Sequence, residues 1–211
     1  MPGRWTRVSV DESSFGGRSS HTVTQLVHRR VAISGGESGA RQVIGGSHSV
    51  YEFEGDKLRC VDQKRLEVLG HCAFSLKNKL CIFGGRKGEN MDEGLDLNDI
   101  LQLEDNEWKS LPVEGAKPPP RSYAGFAALQ DVLYVFGGCG AESRLNDLWR
   151  FDGTQWELLS ENEGPSVRGA PLVFVEGQHC YIFGGFSGTT ELGDAWKFDL
   201  EAKTWQTIDP G

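Results

Sequence analysis

Three arginines open stretches of this chain that resemble one another: Arg18-Ser19-Ser20-His21, Arg121-Ser122-Tyr123-Ala124 and Arg168-Gly169-Ala170-Pro171. A guanidinium presents a planar fork of donors, so several held on one face would grip carboxylates or phosphates of a partner. The plainer alternative is that each bonds backbone carbonyls or a neighbouring acid. His21 and Tyr123 stand in the same openings. Arg86, Arg144 and Phe186 come after glycine-rich breaks. A Phe that follows Gly-Gly on a loop serves either as an interface anchor or as packing for the next element. These eight residues form the candidate partner-binding set, with an acidic partner as the expectation.

Other chemistry is poorly signalled. The stretch from Arg86 to Glu107 holds Glu89, Asp92, Glu93, Asp96, Asp99, Glu104, Asp105 and Glu107. It would suit a basic partner or a hard cation, or simply be solvated, and it lacks the ligand spacing of an EF-hand loop. The chain has no Gly-x-Ser-x-Gly elbow, phosphate loop or His-Glu-x-x-His. Gly137-Gly138-Cys139-Gly140 has no helix after it, so a dinucleotide site does not follow. No catalytic residue, metal or cofactor is expected.

Composition narrows the partners. The formal net charge of the 211 residues is −8, which is the wrong sign for nucleic acid or an anionic membrane surface. No apolar run reaches membrane-spanning length, and residues 1–15 carry no apolar signal core. Five cysteines without a Cys-x-x-Cys pair suit reduced thiols in the cytoplasm or nucleus.

The candidate residues must be positioned by a repeat. Leu80-Cys81-Ile82-Phe83-Gly84-Gly85 returns as Leu133-Tyr134-Val135-Phe136-Gly137-Gly138 and as Cys180-Tyr181-Ile182-Phe183-Gly184-Gly185. A worn copy is Val31-Ala32-Ile33-Ser34-Gly35-Gly36. The second glycines fall at 36, 85, 138 and 185, in steps of 49, 53 and 47 residues. Within the third copy, Arg121–Leu129 reads as a first strand and Gln130-Asp131 as a turn. Val132–Phe136 is a continuously apolar second strand, buried on both faces, which Gly137-Gly138 is expected to break. Asp147–Phe151 is a third strand with Trp149 and Phe151 on one face. Asp152-Gly153 is a turn, and Gln155–Leu159 a fourth strand. Four antiparallel strands per unit of about fifty residues make the blade of a β-propeller.

The doubled Gly after an aromatic strand, the run Asn146-Asp147-Leu148-Trp149-Arg150-Phe151-Asp152, the spaced Trp and Pro118-x-x-Arg121 together resemble the kelch family. The likeness covers nearly the whole chain. It implies an all-β propeller in one domain over 1–211, with blades at about 18–62, 68–112, 121–160 and 168–209. The first copy departs most, with Ser34 for Phe and Leu58 for Trp. The second has Val68 where the others have Arg. Some kelch-like proteins, the plant specifier proteins, hold iron with a Glu, an Asp and a His spaced four apart, and no His of this chain has an Asp four residues before it. His71 follows Glu67 by four, but Gln63 precedes that, so the spacing fails.

Trp5 precedes Arg18 by 13 residues, as Trp108 precedes Arg121. Residues 4–10 therefore read as an orphan fourth strand, and the expectation is an incomplete or truncated propeller whose open edge invites association. The long segments between second and third strands share one face with the inter-blade linkers, and binding residues concentrate on such loops. The functional expectation is a non-enzymatic module that presents this face to a protein or peptide. The alternative is an enzyme or specifier with a small-molecule site, metal-assisted or not, at the channel mouth.

Overall fold

The structure is a computed structural model, and it describes residues 5, 9–10, 17–39, 42–43, 48–54, 57–64, 67–87 and 98–209. Among these there is no helix. The strands form four antiparallel four-stranded sheets, the blades of a β-propeller.

The first blade contains β2 (Thr22–Gln25), β3 (Arg30–Ser34), β6 (His48–Glu54) and β7 (Lys57–Lys64), with β1 (Ser9–Val10) added at its outer edge. A small hairpin, β4 (Glu37–Gly39) and β5 (Gln42–Val43), sits between β3 and β6. The second blade is β8 (Cys72–Leu76), β9 (Lys79–Phe83), β10 (Ile100–Glu104) and β11 (Glu107–Ser110). The third is β12 (Gly125–Leu129), β13 (Val132–Cys139), β14 (Arg144–Phe151) and β15 (Trp156–Ser160). The fourth is β16 (Leu172–Glu176), β17 (His179–Phe186), β18 (Glu191–Asp199) and β19 (Thr204–Ile208). In each blade the first strand is innermost, and β2 meets β8, β8 meets β12, and β12 meets β16.

The core lies between blades rather than within them. Leu26, Ala32 and Val50 pack on Val68, Ala73, Leu80 and Ile82. Cys72, Phe74, Cys81, Phe83 and Ile100 pack on Leu133, Val135, Trp149, Phe151 and Trp156. Tyr134, Phe136, Leu148 and Leu159 pack on Val173, Cys180, Ile182 and Phe198. Alternation along each strand sends successive side chains to opposite neighbours. Trp149 and Phe151 thus face the second blade while Leu148 faces the fourth, as the sequence pattern predicts.

The glycine doublet differs from expectation. In the third and fourth blades it does not break the strand. β13 runs on to Cys139 and β17 to Phe186, with a bulge at the doublet. Gly137 and Gly138 take φ of 61° and 105°, a conformation open to glycine at no steric cost. Space demands glycine too. A Cβ on Gly84 would stand 2.6 Å from the carbonyl oxygen of Arg121, and one on Gly137 would stand 2.8 Å from that of Arg168. The second glycine then donates its N–H to the same carbonyl, Gly85 to Arg121 at 2.8 Å and Gly138 to Arg168 at 2.9 Å. The doublet is the joint between one blade and the opening of the next.

The N-terminal segment also departs from the reading of an orphan strand awaiting three others. Ser9 and Val10 pair in parallel with Lys57 and Leu58, so the described part of the segment extends the first blade. The rest of that predicted strand, apart from Trp5, lies outside the described residues.

Candidate functional site

The blade openings are joined by a series of backbone hydrogen bonds along the channel. Gly70 N–H donates to Ser20 O at 3.3 Å, Tyr123 to Gly70 at 2.6 Å, and Ala170 to Tyr123 at 2.6 Å. All four residues have positive φ. The turn points each carbonyl to one neighbour and each N–H to the other, so successive blades are stitched together at the mouth. Beside these links lies a cavity of about 300 Å³ walled by Ser20, His21, His71, Tyr123, Ala170 and Pro171 among others. In its wall the buried His71 Nε2 lies 2.9 Å from both Thr22 Oγ1 and Ser34 Oγ, which are themselves 2.7 Å apart.

Arg121 and Arg168 leave the candidate set. Their side chains are only 1% and 0% exposed. Arg121 donates from Nε to Pro119 O (3.1 Å), from one terminal nitrogen to Gly137 O (2.9 Å) and Asp147 (2.7 Å), and from the other to Asp147 (2.6 Å). Arg168 repeats this on Ser166 O, Gly184 O and Asp194. The indoles of Trp149 and Trp196 donate to the same two carboxylates at 2.7 Å. With the donors satisfied and the guanidinium enclosed, no fork is left for a partner. These arginines clamp the doublet carbonyl to the third strand.

The clamp partners Asp147 and Asp194 were missed by sequence reasoning, although a signal existed: each stands 26 residues after its arginine. Arg168 holds the Asp194 carboxyl below its ordinary range, chiefly through their hydrogen bond. The second blade, with Val68 in the arginine's place, shows the substitute. Asp99 there pairs with Lys117 at 2.5 Å and accepts from Ser110 at 3.2 Å, and Lys117 likewise lowers its pKa.

The other candidates remain on the loop face. Arg18 is half-buried and reaches Gly35 O at 3.4 Å. His21 is exposed at the mouth, where partial burial and then the Arg18 charge lower its pKa. Arg86 is buried beneath Tyr123, its guanidinium carbon 5.2 Å from the ring centroid and a terminal nitrogen 3.5 Å from the phenol oxygen. Arg144 lies 5.0 Å over the Phe186 ring, within the usual reach of a cation–π contact. Its Nε is buried without a hydrogen-bond partner, and no carboxylate among the described residues pairs with it. Arg86 and Arg144 converge on one place. Burial raises the pKa of the Cys139 thiol, and both guanidinium charges oppose that rise. Their segments are not free loops, however: Arg144 pairs with Cys139 and Phe186 with Glu191 on the strand extensions past the doublets. The acidic residues Glu89, Asp92, Glu93 and Asp96 lie outside the described residues.

Bulged doublets, guanidinium clamps and inter-blade indoles define a kelch-type β-propeller. The chain belongs to that family: residues 52–211 match the KLHDC2/KLHL20/DRC7 Kelch-repeats domain. It is 30% identical over 177 residues to the dynein alpha chain of the flagellar outer arm of Chlamydomonas reinhardtii, covering 75% of this chain and 4% of that one. It is 33% identical to dynein regulatory complex subunit 7 of the same organism, covering 52% of this chain and 9% of the other. To mouse Kelch domain-containing protein 2 it is 30% identical, covering 51% and 28%. The matches therefore span between 4% and 28% of the length of these relatives.

Proposed function

We propose that the chain is a non-enzymatic protein-interaction module whose loop face binds an acidic segment of a protein partner, Arg144 taking its carboxylate and Phe186 its apolar side chain. The observation that carries this reading is the Arg144 guanidinium laid over the half-open Phe186 ring with no acid of its own among the described residues. An aromatic face and a guanidinium together make the kind of anchor that dominates interfaces. Arg18, His21 and Tyr123 stand in the blade openings, with Arg86 buried beneath Tyr123. The net charge of −8 gives no long-range attraction to an acidic partner, so selectivity rests on these local cations. The name of one relative, a dynein regulatory complex subunit, fits a protein rather than a metabolite as partner. Five free thiols suit a reducing compartment, so the cytoplasm or nucleus is the proposed location.

The test is binding of a fluorescent random-peptide pool biased toward Asp and Glu, read by enrichment and anisotropy. Arg144→Ala should weaken enriched peptides at least tenfold with the melting temperature unchanged, and Arg144→Lys should recover only part of the affinity. Enrichment that is indifferent to Arg144→Ala and Phe186→Ala overturns the proposal.

A further inference from the structure

The turn that joins β17 to β18 lies against the Arg144 guanidinium. A Cβ added at Gly188 would stand 2.5 Å from Arg144 Nη1 and 3.3 Å from its Cζ, so the glycine leaves the room that the guanidinium fills. The same guanidinium lies 5.0 Å over the Phe186 ring, and its Nε is enclosed without a hydrogen-bond partner. Glu142 and Glu191, exposed acids close in sequence to the arginine and to the turn, do not pair with it. A charged fork left without an acid among the described residues, with the turn backbone beside it, is a place for an anion carried by the turn itself.

The turn, Ser187-Gly188-Thr189-Thr190, is rich in hydroxyls. That of Ser187 holds the turn together. It accepts from the N–H groups of Thr189 and Thr190 at 3.3 Å and 3.0 Å and donates to Thr190 O at 3.1 Å. Thr189 is exposed, one residue on from the glycine that touches Arg144, and consecutive Cα atoms are only about 3.8 Å apart. We infer that Thr189 is a phosphorylation site whose phosphate takes the Arg144 guanidinium and so closes the Arg144–Phe186 anchor to an acidic partner. This rests on the binding reading above and adds its regulation. A protein kinase would supply the phosphoryl group from a nucleoside triphosphate. The bond from Thr189 Oγ1 to the γ-phosphorus forms, the bond from that phosphorus to the bridging oxygen breaks, the hydroxyl proton passes to the kinase's base, and the nucleoside diphosphate leaves. The product carries nearly two negative charges and three acceptor oxygens, which outbid a single carboxylate for a guanidinium fork. Tethered beside the arginine, it competes at high effective concentration.

The first test is acceptance of phosphate. A panel of serine/threonine kinases with labelled ATP should label the folded 211-residue protein at Thr189, and Thr189→Val should lose that label. The second uses the protein with phosphothreonine installed at 189 during translation, and at 204 as a control in another turn of the same blade. In phosphorus NMR titrations of the protein alone, the second ionisation of the phosphate at 189 should lie about 0.5 pH unit lower than in Arg144→Ala, as a nearby cation demands. The phosphate at 204 should be indifferent to that substitution. The Arg144 Nε–H resonance should move on phosphorylation at 189, a readout that needs no substitution and stands if the variant fails to fold. The third test is the acidic peptides that bind the unmodified protein, whose affinity should fall at least tenfold with phosphate at 189 and hold with phosphate at 204. No label at Thr189 overturns the inference, and so does an ionisation at 189 indifferent to Arg144→Ala. A shifted ionisation with peptide affinity unchanged overturns the switch alone. A shifted ionisation where the unmodified protein binds no acidic peptide overturns the binding reading instead, and supports the contact between phosphate and arginine.

Discussion

Arg168 and Asp194 form an ion pair whose arginine is enclosed while its acid stays partly open to water. That asymmetry makes the pair sensitive to acid. The Asp194 pKa in the fold lies below its ordinary value of 3.8, so the native state binds this proton less readily than the unfolded chain does. The resulting stability is present above that ordinary value and is lost as pH falls through the folded value. Urea unfolding midpoints from pH 7 to pH 2.5 should fall more steeply below pH 4 for the wild type than for Asp194→Asn. The variant should be less stable at pH 7, because the buried guanidinium loses its charge partner. A parallel decline of the two curves would show that the clamp contributes nothing through ionisation. At this scale the sequence was only half legible. The recurrence of Arg18, Arg121 and Arg168 was visible, but a recurring cation reads equally as a binding ring or as a structural clamp. What decides is the aspartate 26 residues on, brought to the guanidinium by the bulge at the doublet. Arg144 lies in no equivalent repeat position, and only its geometry over Phe186 sets it apart.

The blades were the most legible feature, for a physical reason. The second strand of an inner blade is sandwiched between two neighbouring blades, so it must be apolar on both faces, and Leu133–Phe136 displays that without ambiguity. Third strands show alternation because one face meets each neighbour. The extensions past the doublets were not legible, because two glycines with positive φ usually end a strand, whereas here the following residue pairs again across a bulge. The parallel pairing of β1 with β7 was also invisible, since two residues carry no pattern. The packing of indoles yields a firm expectation. Trp156 lies between Phe83 and Phe151, with centroids 4.7 Å and 5.1 Å away. Replacing it with Ala should destabilise the protein by about 3–5 kcal/mol, as truncation of a buried aromatic does. A loss below about 1 kcal/mol, the level of a surface change, would mean that the indole does not bridge the two blades.

In the molecule as a whole, stability should be graded along the row of blades. Repeat proteins gain most of their stability from contacts between neighbours, so a unit with two packed faces opens less often than a unit with one. The third blade is packed on the second through Trp149, Phe151 and Trp156 and on the fourth through Phe136 and Leu148. The fourth has its packed face on the third, while Leu172, Phe174 and Phe183 on its other face meet solvent. Native-state hydrogen exchange, followed by peptide mass spectrometry, should therefore show the amides of 133–136 exchanging more slowly than those of 180–183, although both segments are central strands of equal type. Trp205→Ala removes an indole from the interface between these blades. It should speed exchange in 172–208 strongly, reach 132–160 less, and leave 72–83 near its original rate. Equal protection of the two central strands in the wild type would show that the fourth blade is as well covered as the third. Uniform acceleration on Trp205→Ala would show that the blades open together as one cooperative unit rather than in order from the uncovered side.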